Sequence, residues 1–144
     1  MKKFLVLLSL LLVAATLFVF LASCDKSDSI VEAYQAAGYD VYTGGVNNSR
    51  MDDFDRYLDW GYEELDDLDD YQFLFCYKDD EPAALIVNYF SKSEMKDHLI
   101  EEDDGRIIDD EAYRMAEEAG LLKNNCQLVC AVSEEEIDIF QGAE

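Results

Sequence analysis

Basic side chains are scarce in this chain. Its 11 lysines and arginines stand against 33 aspartates and glutamates, for a net charge of −22. Neutralising a phosphate backbone takes clustered Lys and Arg, so nucleic acid is discounted as a partner. The same charge disfavours docking on anionic lipid head groups. A cationic protein or envelope component has the matching sign, and an acidic surface that is merely solvated is the plainer alternative. Histidine occurs once, as His98. With no second histidine and no G-x-S-x-G stretch, a serine-nucleophile triad lacks its parts. Cys126 and Cys130 are four residues apart, which is neither the two-residue gap of thiol–disulfide oxidoreductases nor a usual zinc-knuckle spacing. Proline occurs once, at Pro82, and no internal repeat is visible.

One long uncharged run is present, and it comes first. Lys2 and Lys3 precede residues 4–22, where Ser9 and Thr16 are the polar members. Such a run partitions into a bilayer with its lysines on the cytoplasmic side. It closes on Leu21-Ala22-Ser23-Cys24, in the order aliphatic, small, small, cysteine. This tetrad resembles the lipobox of bacterial lipoproteins. The resemblance implies a diacylglyceryl thioether on the Cys24 sulfur and cleavage by signal peptidase between Ser23 and Cys24. A retained transmembrane helix over residues 4–22 and an ordinary secretory signal that happens to end in cysteine are the alternatives. Two lipid chains hold firmly, at about 0.8 kcal/mol per buried CH₂.

The expected organisation is therefore a signal peptide over residues 1–23, a short linker over 24–29 and one acidic domain over 30–144. The linker after Cys24 reaches on the order of 20 Å when extended, which keeps the domain close to the membrane on its extracytoplasmic side. Nine Tyr and eight Phe supply a core that a disordered chain would lack.

Along the domain, Ser29 opens a helix that stops at Gly38, and residues 39–42 read as a strand. A second helix begins at Ser49 or Arg50, buries Met51, Phe54 and Leu58, and stops near Gly61. Residues 63–70 read as an acidic connection. Residues 71–78 and 83–90 form a hairpin around a turn at Asp79-Asp80-Glu81-Pro82. Both faces of its first strand are apolar, so that strand belongs inside a sheet. Ser91-Lys92-Ser93-Glu94 is a capping box for a third helix carrying Met95 and Leu99 inward. A fourth helix spans 109–119, with Tyr113, Ala116 and Met115 or Ala119 inside and Gly120 as its stop. Lys123-Asn124-Asn125 turns into a strand over 126–132. Ser133 and Glu136 cap a last helix burying Ile137 and Phe140.

This order is an α+β class: a two-layer domain with a mostly antiparallel four-stranded sheet, preceded by the hydrophobic signal helix. The element order and the phrases AAGYDVYT and VNYFSKSEMKDHL resemble small, functionally uncharacterised extracytoplasmic lipoproteins of Gram-positive gut bacteria. That resemblance implies a variant of the ferredoxin-like fold and implies no activity.

The remaining chemistry is thin. A disulfide from Cys76 to Cys126 or Cys130 requires their strands to be neighbours; otherwise Cys76 and Cys130 are small core residues. A thiol- or carboxylate-dependent hydrolase would need His98 within reach of a cysteine or carboxylate. Carboxylate pairs are too abundant to single one out. Residues 100–111 half-match an EF-hand loop, with Glu102, Asp104, Gly105 and Glu111 in register, but Ile100 and Ile108 stand where oxygen ligands belong. No metal or cofactor is implied. Tyr71, Phe73, Phe75, Tyr77 and Tyr89 are read mainly as core, with a partner-binding surface as the second reading. The expectation is a membrane-anchored, non-enzymatic binding or envelope-associated module. The hydrolase, and a structural or stress-related envelope protein with no discrete ligand, are its alternatives.

Overall fold

The structure, a computed structural model, describes residues 27–58 and 68–144. The signal helix, Ser23, Cys24 and the expected stop at Gly61 lie outside the described residues.

Helix α1 (Ser27–Ala36) leads into β1 (Asp40–Gly44). Gly38, at φ 89°, ends α1. Its N–H donates to the Gln35 carbonyl at 3.0 Å, and the Tyr39 N–H donates to the Tyr34 carbonyl at 3.0 Å. These paired bonds satisfy carbonyls that the helix leaves open. Helix α2 (Met51–Phe54) then runs into a 3₁₀ turn over Asp55–Tyr57. The longer helix expected here ends early, because Asp52, Asp53 and Asp55 are weak helix formers and Leu58 is extended.

Strands β2 (Gln72–Lys78) and β3 (Glu81–Asn88) form the expected hairpin. The turn is tighter than expected. Asp79 and Asp80 both have positive φ, 52° and 64°, which is the two-residue geometry that suits strand twist. Pro82 belongs to β3, where it pairs with Tyr77 at a bulge, one of the few sheet positions that tolerate proline. After β3 come α3 (Lys92–Leu99), β4 (Glu101–Asp103), β5 (Arg106–Asp109), α4 (Glu111–Glu118), β6 (Leu122–Lys123), β7 (Cys126–Ala131) and α5 (Glu134–Gly142). The Ser133–Glu136 capping box is complete, with the Ser133 N–H donating to Glu136 Oε2 at 2.9 Å. At the expected Ser91–Glu94 box only the N-cap half forms, Ser91 Oγ accepting from the Glu94 N–H at 3.1 Å, because the Ser91 N–H is taken by the Tyr89 carbonyl.

The class is α+β with an antiparallel sheet. The expected strand count and layering are corrected. The main sheet has five strands in the order β1-β2-β3-β7-β6, and β4-β5 forms a separate pair. Apart from the β7–β6 exchange the order follows the chain, so the split βαβ crossover of a ferredoxin-like sheet does not occur among the described strands. Both faces of the sheet are covered, giving three layers rather than two. On one face α1 and α5 bury Ile30, Tyr34 and Phe140 against Leu74, Cys76, Ile86 and Leu128. On the other, Met51, Phe54, Leu68 and Met95 pack on Phe73, Phe75, Leu85 and Val87. That double cover is why β2, with β1 and β3 on either side, is apolar on both faces. On α4, Ala116 is buried and Met115 is exposed.

Candidate functional site

The thiols come first. Cys76, Cys126 and Cys130 are all buried, and none is part of a disulfide. Cys76 lies on β2 and the other two on β7, with β3 between. Two strand spacings amount to roughly 9.5 Å, beyond the ~7 Å that a disulfide spans between Cα atoms. A bulge on β7, where Leu85 pairs with Cys130 but Ile86 with Leu128, sends Cys126 and Cys130 to opposite faces of the sheet. Burial pushes the Cys76 thiol up to about 12, with the Glu136 charge adding to it. Burial and Glu136 raise Cys130 to about 11 in the same way. A thiol raised this far stays protonated at neutral pH, the opposite of an activated nucleophile.

His98 is exposed on α3, its ring 5.5 Å from that of Tyr89. The half-matched EF-hand register is a hairpin instead. Asp104 (φ 49°) and Gly105 (φ 73°) form the turn between β4 and β5, all of whose residues are exposed. Among the described residues no group of three or more His, Cys, Asp or Glu is placed to hold a metal ion. Of the hairpin aromatics, Phe73, Phe75, Tyr77 and Tyr89 are core, and Tyr71 is half-buried.

Glu136 is a buried carboxylate with a full set of donors. Tyr39 Oη donates to its Oε1 at 3.0 Å, and the Ser133 N–H and hydroxyl donate to its Oε2. Tyr34 Oη donates to the Glu136 carbonyl at 2.6 Å. This cluster fastens α5 to α1 and the sheet. Burial holds both phenols above the usual tyrosine range, so they remain donors.

Two open recesses lie at the Asp79-Asp80 end of the hairpin, of about 430 Å³ and 350 Å³. They share Asp53, Tyr77 and Asp80. Carboxylates dominate the linings, and some of the polar groups already serve one another. Tyr77 Oη donates to Asp53 Oδ2 at 2.7 Å. Arg56 pairs with Glu81 at 3.7 Å, and the Arg50 guanidinium sits 3.9 Å over the Tyr42 ring. Burial first, and then the bond to Asp53, raise the Tyr77 phenol, which makes it a donor rather than a base. With Tyr77 a donor to Asp53, the recesses read as an acidic surface rather than a proton-transfer site.

The opposite end of the hairpin differs. Phe90 has a positive φ of 63° and is 49% exposed. Its ring lies 5.9 Å from Tyr71, which in turn lies 5.0 Å from Tyr89.

No protein-family model, curated protein or solved structure matches this chain.

Phe90 ends the strand expected over residues 83–90, and nothing in the sequence marks the turn it makes. A positive φ at an aromatic residue has no composition signal. The recess pair Asp53 and Tyr77 was likewise missed, since one aspartate among so many carries no mark.

Proposed function

We propose that this chain is a lipid-anchored, extracytoplasmic binding module that recognises a cationic protein or envelope component at the membrane face and performs no catalysis. The observation that carries the reading is the tetrad Leu21-Ala22-Ser23-Cys24, closing an uncharged run behind Lys2 and Lys3. The resemblance to lipoproteins would place a diacylglyceryl thioether on Cys24 after cleavage at Ser23–Cys24. From Cys24 onward 9 Lys and Arg stand against 33 Asp and Glu, for −24, so the domain has no electrostatic attraction to an anionic membrane and lipid would have to hold it there. The binding half draws support from the chemistry of the domain. Its buried thiols are insulated, and in its recesses Tyr77 bonds to Asp53 and Arg56 pairs with Glu81.

Radiolabelled palmitate incorporation tests the anchor. The wild-type chain is expected to take up label and partition with membranes, and Cys24→Ala to do neither. Continued labelling of Cys24→Ala would overturn the anchoring.

A further inference from the structure

Phe90 is held in a conformation that a bulky residue avoids. Its positive φ of 63° accompanies a bond from the Ser91 N–H to the Tyr89 carbonyl at 2.7 Å. That closes a three-residue γ-turn of the rarer, strained hand. Glycine is the ordinary occupant of such a position, and strain of this kind costs on the order of 1–3 kcal/mol when it is retained.

The turn is locked from beneath by buried amides. Asn88 Oδ1 accepts from the Phe90 N–H at 2.9 Å and from Asn125 Nδ2 at 2.7 Å. The Tyr89 N–H donates to the Asn125 carbonyl at 3.0 Å. Asn88 is 1% and Asn125 4% exposed. On the far side Ser91 starts α3 as its N-cap. Both flanks of Phe90 are thus fixed, and the ring is presented to solvent on a preorganised mount. The core does not use this ring, so its burial does not account for the strain.

The surroundings of the ring are acidic. Asp70 directly precedes Tyr71, Glu94 lies in the first turn of α3 with its Oε2 3.1 Å from Ser91 Oγ beside Phe90, and Asp97 is exposed one turn further along the same helix. After burial, the charges of Glu94, Asp70 and Asp97 raise the Tyr71 phenol. Lys92 is the nearby counterweight in sequence, and Lys96 is turned instead toward the Tyr113 ring at 5.7 Å. An aromatic face rimmed by carboxylates suits a cation: the ring quadrupole attracts it, and the rim steers it. A second copy of the chain carries the same −22 and is repelled.

We propose that Phe90 and Tyr71 form the platform on which a lysine- or arginine-bearing segment of a partner protein docks, with Asp70, Glu94 and Asp97 as its acidic rim. The assignment rests on the reading of the chain as a binding module and names where and what it binds.

The test is calorimetric titration of the full-length chain, in neutral detergent at low ionic strength, with acetyl-Arg-Gly-Arg-Gly-Arg-amide. The wild-type chain is expected to bind it and to ignore the peptide with Gln in place of Arg. Phe90→Tyr keeps a π face and should bind within about twofold of wild type. Phe90→Leu and Phe90→Gly should each bind about tenfold more weakly, the scale of a lost cation–π contact. Phe90→Gly also relieves the positive φ, so its melting temperature separates lost binding from lost fold. Equal affinity across all four proteins would show charge attraction elsewhere on the surface and overturn the platform. So would no binding to wild type, or self-association in sedimentation in place of peptide binding. Palmitate labelling of Cys24 is untouched by these substitutions, so a failed anchor and a failed platform give different results.

Discussion

The two ends of the β2–β3 hairpin are built from the same residue types and behave oppositely. At the turn end, several strongly polar side chains are held by partners inside the protein. Tyr77 bonds to Asp53, Arg56 pairs with Glu81, and Lys78 pairs with Glu135 at 2.9 Å while lying 4.7 Å from the Tyr39 ring. At the open end, two buried asparagines support a strained turn whose product is an aromatic ring in water. Acidic surface is cheap to make and easily satisfied, so volume and charge alone are poor guides to a binding site. Strain that the core does not need is the better guide.

Both ends hang on one aromatic core, and a core substitution should disturb them together. Phe75 lies between them, with its ring 6.1 Å from Phe54 and 6.2 Å from Phe73. Phe75→Ala is expected to cost about 3–5 kcal/mol in chemical denaturation. Loss of structure at one end only, followed by amide hydrogen exchange, would show that the ends are independently stable.

The ends should then separate under smaller changes. Asn88→Ala removes an acceptor shared by the Phe90 N–H and Asn125 Nδ2 and leaves buried donors behind, at about 2 kcal/mol. Its counterpart, Tyr77→Phe, removes one partly buried bond to Asp53 and should cost about 1 kcal/mol. Equal costs would mean that the open end is no more tightly locked than the turn end. The smallest effect is expected from Glu81→Gln. It breaks an ion pair whose partners are mostly exposed, and the denaturation midpoint should move by less than about 0.5 kcal/mol equivalent.

Much of the fold was legible in the chain, because its signals are local. Ser91 with Glu94 and Ser133 with Glu136 mark helix starts. Gly38 and Gly120, both at positive φ, mark helix ends. The alternation of Phe73 and Phe75 with Leu74 and Cys76 sorts β2 between two faces. The β4–β5 hairpin was missed although Asp104-Gly105 is a strong turn dipeptide, since its strands are short, acidic and exposed. The two-residue β6 is too brief to show periodicity. The separation of Cys126 from Cys130 depends on a bulge, a feature of pairing rather than of either residue. The site was the least legible part. The lock on Phe90 joins Asn88, at the end of β3, to Asn125 in the β6–β7 turn, and only the pairing of β3 with β7, Asn88 opposite Cys126, brings those two amides together.

The most direct measurement maps backbone amide shifts of the full-length chain on titration with acetyl-Arg-Gly-Arg-Gly-Arg-amide. Shifts are expected at Tyr71, at Phe90 and Ser91, and along the first turns of α3. Shifts confined to Asp52, Asp53 and Arg56 with Asp79, Asp80 and Glu81 would place the cation at the turn end and contradict the account.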